Sequence, residues 1–572
     1  MESRKERQFD ADAQPTGFDD PSLGPVAVST SPPITSNDPE NDDNRVEPSA
    51  IIRGDPMRFA VGAVFCIISL SNGMQWITFS AIVEEVRVYF NMTAIQVNYL
   101  TTTYVIAYVA AVFLSCKLYE ITGLRVGILI AALTNAIGTV LKIIALYFWP
   151  NMILLYIAQV FNSITEILTI ATPPLVANRW FPESERMVAN TVLSSALNFG
   201  CAIGVLLPTF FVTPEKQEKH HFGNLFWFQF GLCGGIFVLA IFLVPARPRY
   251  MVSYAAARQQ KKEEKRIQAL RGMFQHHGTE NGLHNEEEPG NIRETETETR
   301  REENYDENEE PEAPPTNVFS TVLDALRMLR SNPSFGFLMI ASAAELGLIW
   351  AVATVLPQCL SPFGVSEVES GWIGFMNLFA GTIVAPFIMP FVERKRRYKT
   401  VLLSIAMILT INMSILTLCL AYGPPIHENR TYYVVVTFLF WGGVAGLCQN
   451  FMMPLMFEFV IELTFPMSES TSAPVLTWSA CLTNLILTIV FGAVLGNSPS
   501  QGDALNVFVG ATVVCFIGGL ALLAVFPYRR RQEYELLMRE RDDARLLPVQ
   551  HGEGEEEERE GVRHENVKEK SK

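Results

Sequence analysis

Gln159, Asn162 and Glu166 interrupt the otherwise apolar run from Met152 to Asn178. Steps of three and four place all three on one face of a helix. A carboxylate at the centre of a bilayer costs at least about 2.5 to 3.5 kcal/mol, so Glu166 is expected to face a cavity or a partner, binding substrate or carrying a coupled proton. Gln159 and Asn162 could join it in binding or tie helices together by hydrogen bonds. Asn72 and Trp76, also four apart, lie inside the run from Met57 to Val83, where an amide and an indole face look into the same space. An indole face attracts a quaternary ammonium ion by about 0.5 to 2 kcal/mol or more when desolvated. In the run from Ser334 to Cys359, Glu345 and Trp350 are five apart, about 140° around a regular helix, and should not face one point. Gly347 between them would permit a distortion. Glu345 is open to three roles: a second substrate carboxylate, a proton-coupling site, or a partner for another helix.

Long apolar helices must hold these residues. Only 18% of the 572 residues are charged, and most of these lie in the first 56, between about Ala246 and Asn332, and after Pro527. Between them recur apolar runs of about 20 residues or more, the length that crosses a hydrocarbon core of roughly 30 Å. Spans are expected near Met57 to Val83, Ile95 to Cys116, Val126 to Phe148, Met152 to Asn178, Met187 to Val212 and Leu225 to Val244. A second set follows near Ser334 to Cys359, Gly371 to Val392, Thr400 to Tyr422, Tyr432 to Phe457, Thr471 to Leu495 and Ala504 to Phe526. The organisation that follows is a disordered tail over 1–56, a six-helix bundle over 57–244, an acidic linker over 245–333, a second bundle over 334–526 and a charged tail over 527–572.

The short loops on one side carry Lys117, Arg125, Arg179, Arg186, Arg394 to Arg397 and Lys399, which by the positive-inside rule makes that side, and both termini, cytosolic. The sequons at Asn91 and Asn429 fall on the opposite side, as candidate glycosylation sites, whereas the one at Asn412 falls within a span. An internal repeat is visible as Phe181-Pro182-x-Ser184-Glu185 and Phe465-Pro466-x-Ser468-Glu469. Glu120 with Arg125, and Glu393 with Arg394 to Arg397, occupy matching loops of the two halves and suit a cytosolic gate whose ion pairs break during alternating access. Glu458 and Glu462, at the cytosolic end of the tenth span where water should reach them, are expected to belong to the gate or to brace its loop.

The net charge of −15 sits in the tails and middle segment, so it implies no nucleic-acid partner. The nine cysteines lie inside apolar runs without a Cys-x-x-Cys, which argues against disulfides and structural metal. No nucleotide loop, metal-ligand cluster or nucleophile with its base is present, so neither enzyme chemistry nor a cofactor is expected.

Several segments together resemble the feline leukaemia virus subgroup C receptor (FLVCR) related family of major facilitator transporters: Asn72-Gly73-Met74-Gln75-Trp76, Thr122-Gly123-Leu124-Arg125, Gly200-x-x-x-Gly204-x-x-x-Pro208, Gly371-Trp372-Ile373-Gly374 and Phe457-Glu458-Phe459 with Glu462. The resemblance covers the spans and not the tails. It implies an all-α membrane protein of the major facilitator fold, with twelve transmembrane helices in two six-helix pseudo-repeats. It also implies transport of choline and ethanolamine, with haem as an older assignment and a vitamin-transporting lysosomal branch among the relatives. In that family the ammonium group lies against a Trp of span one and a Tyr of span seven, near a Gln of span four. Trp76, Trp350 and Glu166 stand at those positions here, and Gln75 adjoins the first. The exchange of a neutral amide for the Glu166 carboxylate departs from the pattern.

An acidic, aromatic and otherwise neutral core fits a choline-like cation, whereas haem would need room for an anionic macrocycle and usually a His ligand. None of the eight His residues falls in an expected span, and only His220, His221 and His427 would face outward. A non-transporting receptor would not need carboxylates in mid-membrane. Tyr534-Glu535-Leu536-Leu537 and Asp542-x-x-x-Leu546-Leu547 match sorting signals read by cytosolic adaptors, and an amphipathic helix explains them equally well. Plasma membrane and endosomal or lysosomal membrane both remain open.

Overall fold

The computed structural model describes residues 55–148, 152–212, 218–250, 252–253, 256, 318–395, 397–425, 429–465, 467–496, 499–526, 531, 533 and 536–538. The amino-terminal tail, most of the central linker, His427, the side chain of Glu393, Tyr534 and Leu546-Leu547 lie outside the described residues. The described residues form helices and no strand. In the first half these are α1 (Met57–Ala81), α2 (Val83–Phe90), α3 (Ala94–Tyr147), α4 (Met152–Thr169), α5 (Pro173–Trp180), α6 (Arg186–Phe211) and α7 (Lys219–Leu243). The second half has α8 (Val318–Ser331), α9 (Pro333–Ser342), α10 (Leu348–Leu360), α11 (Glu367–Lys395), α12 (Tyr398–Ala421), α13 (Arg430–Thr437), α14 (Gly446–Thr464), α15 (Glu469–Leu495) and α16 (Gln501–Ala524).

Local chemistry explains where these helices start and stop. A capping box opens α3, with Gln96 N–H donating to Thr93 Oγ1 (3.3 Å) and Thr93 N–H to Gln96 Oε1 (2.8 Å). Inside α3, Gly123 takes φ 77° and ψ 173°, a conformation that a residue with a Cβ rarely adopts, so α3 is two membrane crossings joined at Gly123. The expected fourth span is interrupted after Thr169, because Pro173 and Pro174 have no N–H to donate to carbonyls four residues back; instead they open α5. The sixth crossing, α7, begins at Lys219, six residues before its expected start at Leu225, so His220 and His221 ride on its first turn. The tenth span continues beyond Phe457 to Thr464, and part of the segment read as a linker, Val318–Ser331, is helical.

Among the described residues, eleven segments are long and apolar enough to cross a membrane, and the 49-residue Tyr99–Tyr147 provides two crossings, giving the expected twelve. Two of the second-half crossings contain π-helical turns, Ala343–Gly347 between α9 and α10, and Phe438–Ala445 between α13 and α14. Close backbone approach joins α1 to α6: a Cβ added at Gly200 would collide with the carbonyl of Leu70. The two halves meet along α6 with α11 and along α3 with α15. Phe199 stacks on Phe379 with ring centroids 6.1 Å apart, and Trp478 Nε1 donates to the Val109 carbonyl at 3.1 Å. Below, the base is the end of the bundle where α1 begins and α16 finishes.

Candidate functional site

Between the halves lies a cleft lined by Trp76 of α1, Val105 of α3, Glu166 and Ile170 at the end of α4, Leu197 and Asn198 of α6, Trp350 of α10, Met453 of α14, and Cys481 and Asn484 of α15. Trp76, Glu166 and Trp350, singled out in the sequence, therefore line one space. Among the described residues lining it, one carboxylate and two indoles stand with no basic side chain. Trp76 is held in place by Nε1–H donating to the Thr101 carbonyl (3.2 Å) and by the Tyr104 ring, 6.3 Å away between centroids. Glu166 Oε2 is buried without a hydrogen-bond partner. A buried carboxylate oxygen left bare beside aromatic faces is a place where a cation gains most from both.

The remaining polar residues expected at this site do not line the cleft. Asn72, Gln75, Gln159 and Asn162 are fully buried in a hydrogen-bond network inside the first half. Asn72 Nδ2 donates to the Asn162 carbonyl (2.8 Å), Gln75 Nε2 to Asn135 Oδ1 (2.7 Å), Asn135 Nδ2 to Ser71 Oγ (2.9 Å) and Asn162 Nδ2 to Gln159 Oε1 (3.2 Å). The physical reason is helix length. Seven residues separate Gln159 from Glu166, about 10 Å along the axis, and at the height of Gln159 the stripe is covered by α3, where Tyr104 O–H donates to Gln159 Oε1 at 3.5 Å. Asn72, likewise, faces α4 rather than the space that Trp76 faces.

The network contains a residue that the sequence reading passed over. Lys142 in α3 is 0% exposed; its Nζ donates to Gln75 Oε1 at 3.2 Å and lies 5.0 Å from the centroid of the Phe79 ring. The signal was available: a basic residue between Leu141 and Ile143, deep in an apolar run, falls under the rule that singled out Glu166.

At the base the halves are locked together. Asn190 Nδ2 of α6 donates to Glu458 Oε1 of α14 (3.0 Å) and to the Pro454 carbonyl (3.3 Å), while Thr471 Oγ1 of α15 donates to Glu120 Oε1 of α3 (3.1 Å). Arg531, beyond α16, is 2% exposed; it donates to Asn178 Oδ1 of the first half (3.1 Å) and pairs with Glu469 Oε1 (3.8 Å). Glu458 and Glu462, expected within reach of water, are buried at 5% and 8% exposure, because α14 continues past them and packs into this closed end. Arg125 is half-buried just after Gly123, and Arg397 is exposed at the start of α12.

Glu345 is fully buried in the π-helical turn, facing Gly518 of α16, so the distortion that Gly347 permits is present. It does not line the cleft that Trp350 lines. Asn91, in the left-handed conformation at the end of α2, and Asn429, preceding α13, are exposed on the face opposite the base, and Asn412 is buried in α12.

Two six-crossing halves around a central cleft form the architecture on which many secondary carriers are built. Residues 64–470 match the Major Facilitator Superfamily profile, and the chain belongs to that superfamily, whose members are transporters and not enzymes, and is related within it to the FLVCR proteins. It is 25% identical over 504 residues to the choline/ethanolamine transporter flvcr2a of Danio rerio, covering 87% of this chain and 92% of that one. It is 24% identical over 503 residues to the choline/ethanolamine transporter FLVCR1 of Felis catus, covering 86% and 77%. It is 23% identical over 484 residues to the human choline/ethanolamine transporter FLVCR2, covering 82% and 79%. Among solved structures, the proton:xylose symporter XylE bound to 6-bromo-6-deoxy-D-glucose superposes with a TM-score of 0.55 at 15% identity, over 82% of this chain and 94% of that one. The transporter FucP in its outward conformation gives 0.51 at 14%, over 82% and 99%. At these identities the structural likeness shows the fold alone.

Proposed function

We propose that this protein carries a small organic cation, choline or ethanolamine, across the membrane by alternating access. The observation that carries the reading is the meeting of Trp76, Trp350 and Glu166 at one cleft between the halves. The trimethylammonium of choline has no N–H to donate, so aromatic faces and an unpartnered carboxylate are what would recognise it, and the primary ammonium of ethanolamine would in addition donate to that carboxylate. The names of the FLVCR relatives support the same substrate class. The base, with Lys117, Arg125, Arg179 and Arg186, is the cytosolic side in this reading, and the contacts of Asn190, Glu458, Glu120, Thr471 and Arg531 form the gate that must open there. Asn72, Gln75, Gln159 and Asn162 shape the wall behind Trp76 and act through it. Asn91 and Asn429 then face outside, open to glycosylation.

The test is counterflow in proteoliposomes containing the full chain, preloaded with unlabelled choline and given radiolabelled choline outside. Saturable exchange that falls at least several-fold in Trp76→Leu is expected; absence of exchange with choline and with ethanolamine would refute the substrate assignment.

A further inference from the structure

We infer that Glu345 is a proton-carrying site, separate from the substrate cleft, through which substrate movement is coupled to proton movement. The inference rests on the proposed cation transport and deepens it.

Glu345 is 0% exposed, and neither carboxylate oxygen has a hydrogen-bond partner. No ion pair among the described residues involves it. The titratable groups within electrostatic reach are thiols, Cys448 of α14 and Cys515 of α16. From α15 the Ala480 carbonyl, Thr483 and the Asn484 backbone, none of them charged, pack on Gly347. From α16 it meets Gly518, whose missing side chain makes the space: a Cβ there would lie 2.6 Å from Glu345 Oε1 and 2.9 Å from its Cγ. A bare charge in such surroundings is unsatisfied by several kcal/mol or more, whereas a proton removes the charge without a partner. A metal cation would need six or so oxygen ligands, and the thiols, methyls and glycine here do not supply them. No group of three metal-ligating side chains occurs among the described residues.

The site is placed to communicate with the cleft by two routes. Trp350, five residues along the same crossing, lines the cleft, and so does Asn484, whose backbone packs on Gly347. A π turn is a local register shift, frequent at functional sites, and relaxing it to α geometry would rotate Glu345 relative to Trp350. The step itself is balanced: hydronium on the open side gives a proton to one Glu345 oxygen and leaves water, and after reorientation the neutral carboxyl returns the proton to water on the other side.

Two measurements on the full chain in proteoliposomes test this. The first is the infrared spectrum at neutral pH, wild type minus Glu345→Gln. A carbonyl band of a protonated carboxyl is expected in the difference, shifted in Gly518→Ala, which crowds the group; its absence would overturn the inference whatever the substrate proves to be. The second follows internal pH with a trapped indicator while a choline gradient is applied. Choline-evoked proton flux is expected in wild type and lost in Glu345→Gln, which keeps radiolabelled choline counterflow. Wild-type counterflow without proton flux, or unchanged flux in Glu345→Gln, would overturn the coupling. If wild type shows no counterflow, the substrate assignment falls, and the infrared band alone decides whether Glu345 holds the proton.

Discussion

Truncation of Glu458 is expected to open the base. In the closed base, Glu458 accepts from Asn190 at 3.0 Å and lies within electrostatic reach of the guanidinium groups of Arg186 and Arg531, at 5% exposure. Removing one partner of a buried charged cluster typically destabilises it by about 3 to 5 kcal/mol, because the remaining charges are left uncompensated. Taking about 3 kcal/mol of that as lost only from the closed-base state, the population ratio of closed to open should fall about 100-fold in Glu458→Ala. Asn190→Ala removes a neutral donor and leaves the charges paired, so its shift should be smaller, about 1 kcal/mol or fivefold. Spin labels at Ile121 and Arg394, both exposed at the base on opposite halves, would report the ratio as a distance distribution. The long-distance population should grow in the order wild type, Asn190→Ala, Glu458→Ala. An unchanged distribution in Glu458→Ala, or a larger effect from Asn190→Ala, would refute the view that Glu458 anchors the closed end.

Asp55, just outside the first crossing, accepts the N–H of Met57 on Oδ1 and of Arg249 on Oδ2, each at 2.9 Å, tying the start of α1 to the segment after α7. Burial pushes its carboxyl up, but these two bonds and the charges of Arg249 and Arg58 together hold it below the ordinary value of 3.8. A lowered value means that its stabilisation is complete above the unfolded value and is lost as pH falls below it. Hydrogen exchange at Arg249 should therefore be about fivefold faster in Asp55→Ala than in wild type at pH 7, with the difference vanishing in strong acid. Lys142→Met should raise the melting temperature, since it removes a buried ammonium that donates to the neutral amide of Gln75; a clear drop on thermal unfolding would show that the charge is compensated. Gly200→Val should destabilise by about 1 to 3 kcal/mol or more, read as a lower melting temperature, because α1 and α6 touch backbone to backbone there.

The twelve crossings were legible because charge is excluded from hydrocarbon; Trp76 and Glu166 stood out because an aromatic or ionisable group deep in a span needs a reason to be there, whereas Trp350 entered through the family resemblance. Which of the flanking amides share the cleft was not legible. Helical periodicity fixes a face but not the neighbour that covers it at each height, so Gln159 and Glu166, on one stripe, end in different surroundings. The π turn at Ala343–Gly347 depends on how Gly347 meets Ala480 and how Gly518 admits Glu345, contacts between crossings far apart in the chain. Water at Glu458 was inferred from its place near a span end, and failed because α14 continues to Thr464 and the closed base covers it. The break at Pro173-Pro174, by contrast, needed only the missing N–H groups and could have been read directly.

The central claim is best tested by equilibrium binding of radiolabelled choline to the purified full chain, beside Trp76→Leu and Glu166→Gln. Loss of about 0.5 to 2 kcal/mol of indole attraction corresponds to a Kd roughly 2- to 30-fold weaker in Trp76→Leu, and Glu166→Gln should weaken binding further or abolish it. Saturable binding weakened in both variants is the expected result. Binding that is absent in the wild type, or equal in all three proteins, would contradict the assignment of the cleft to an organic cation.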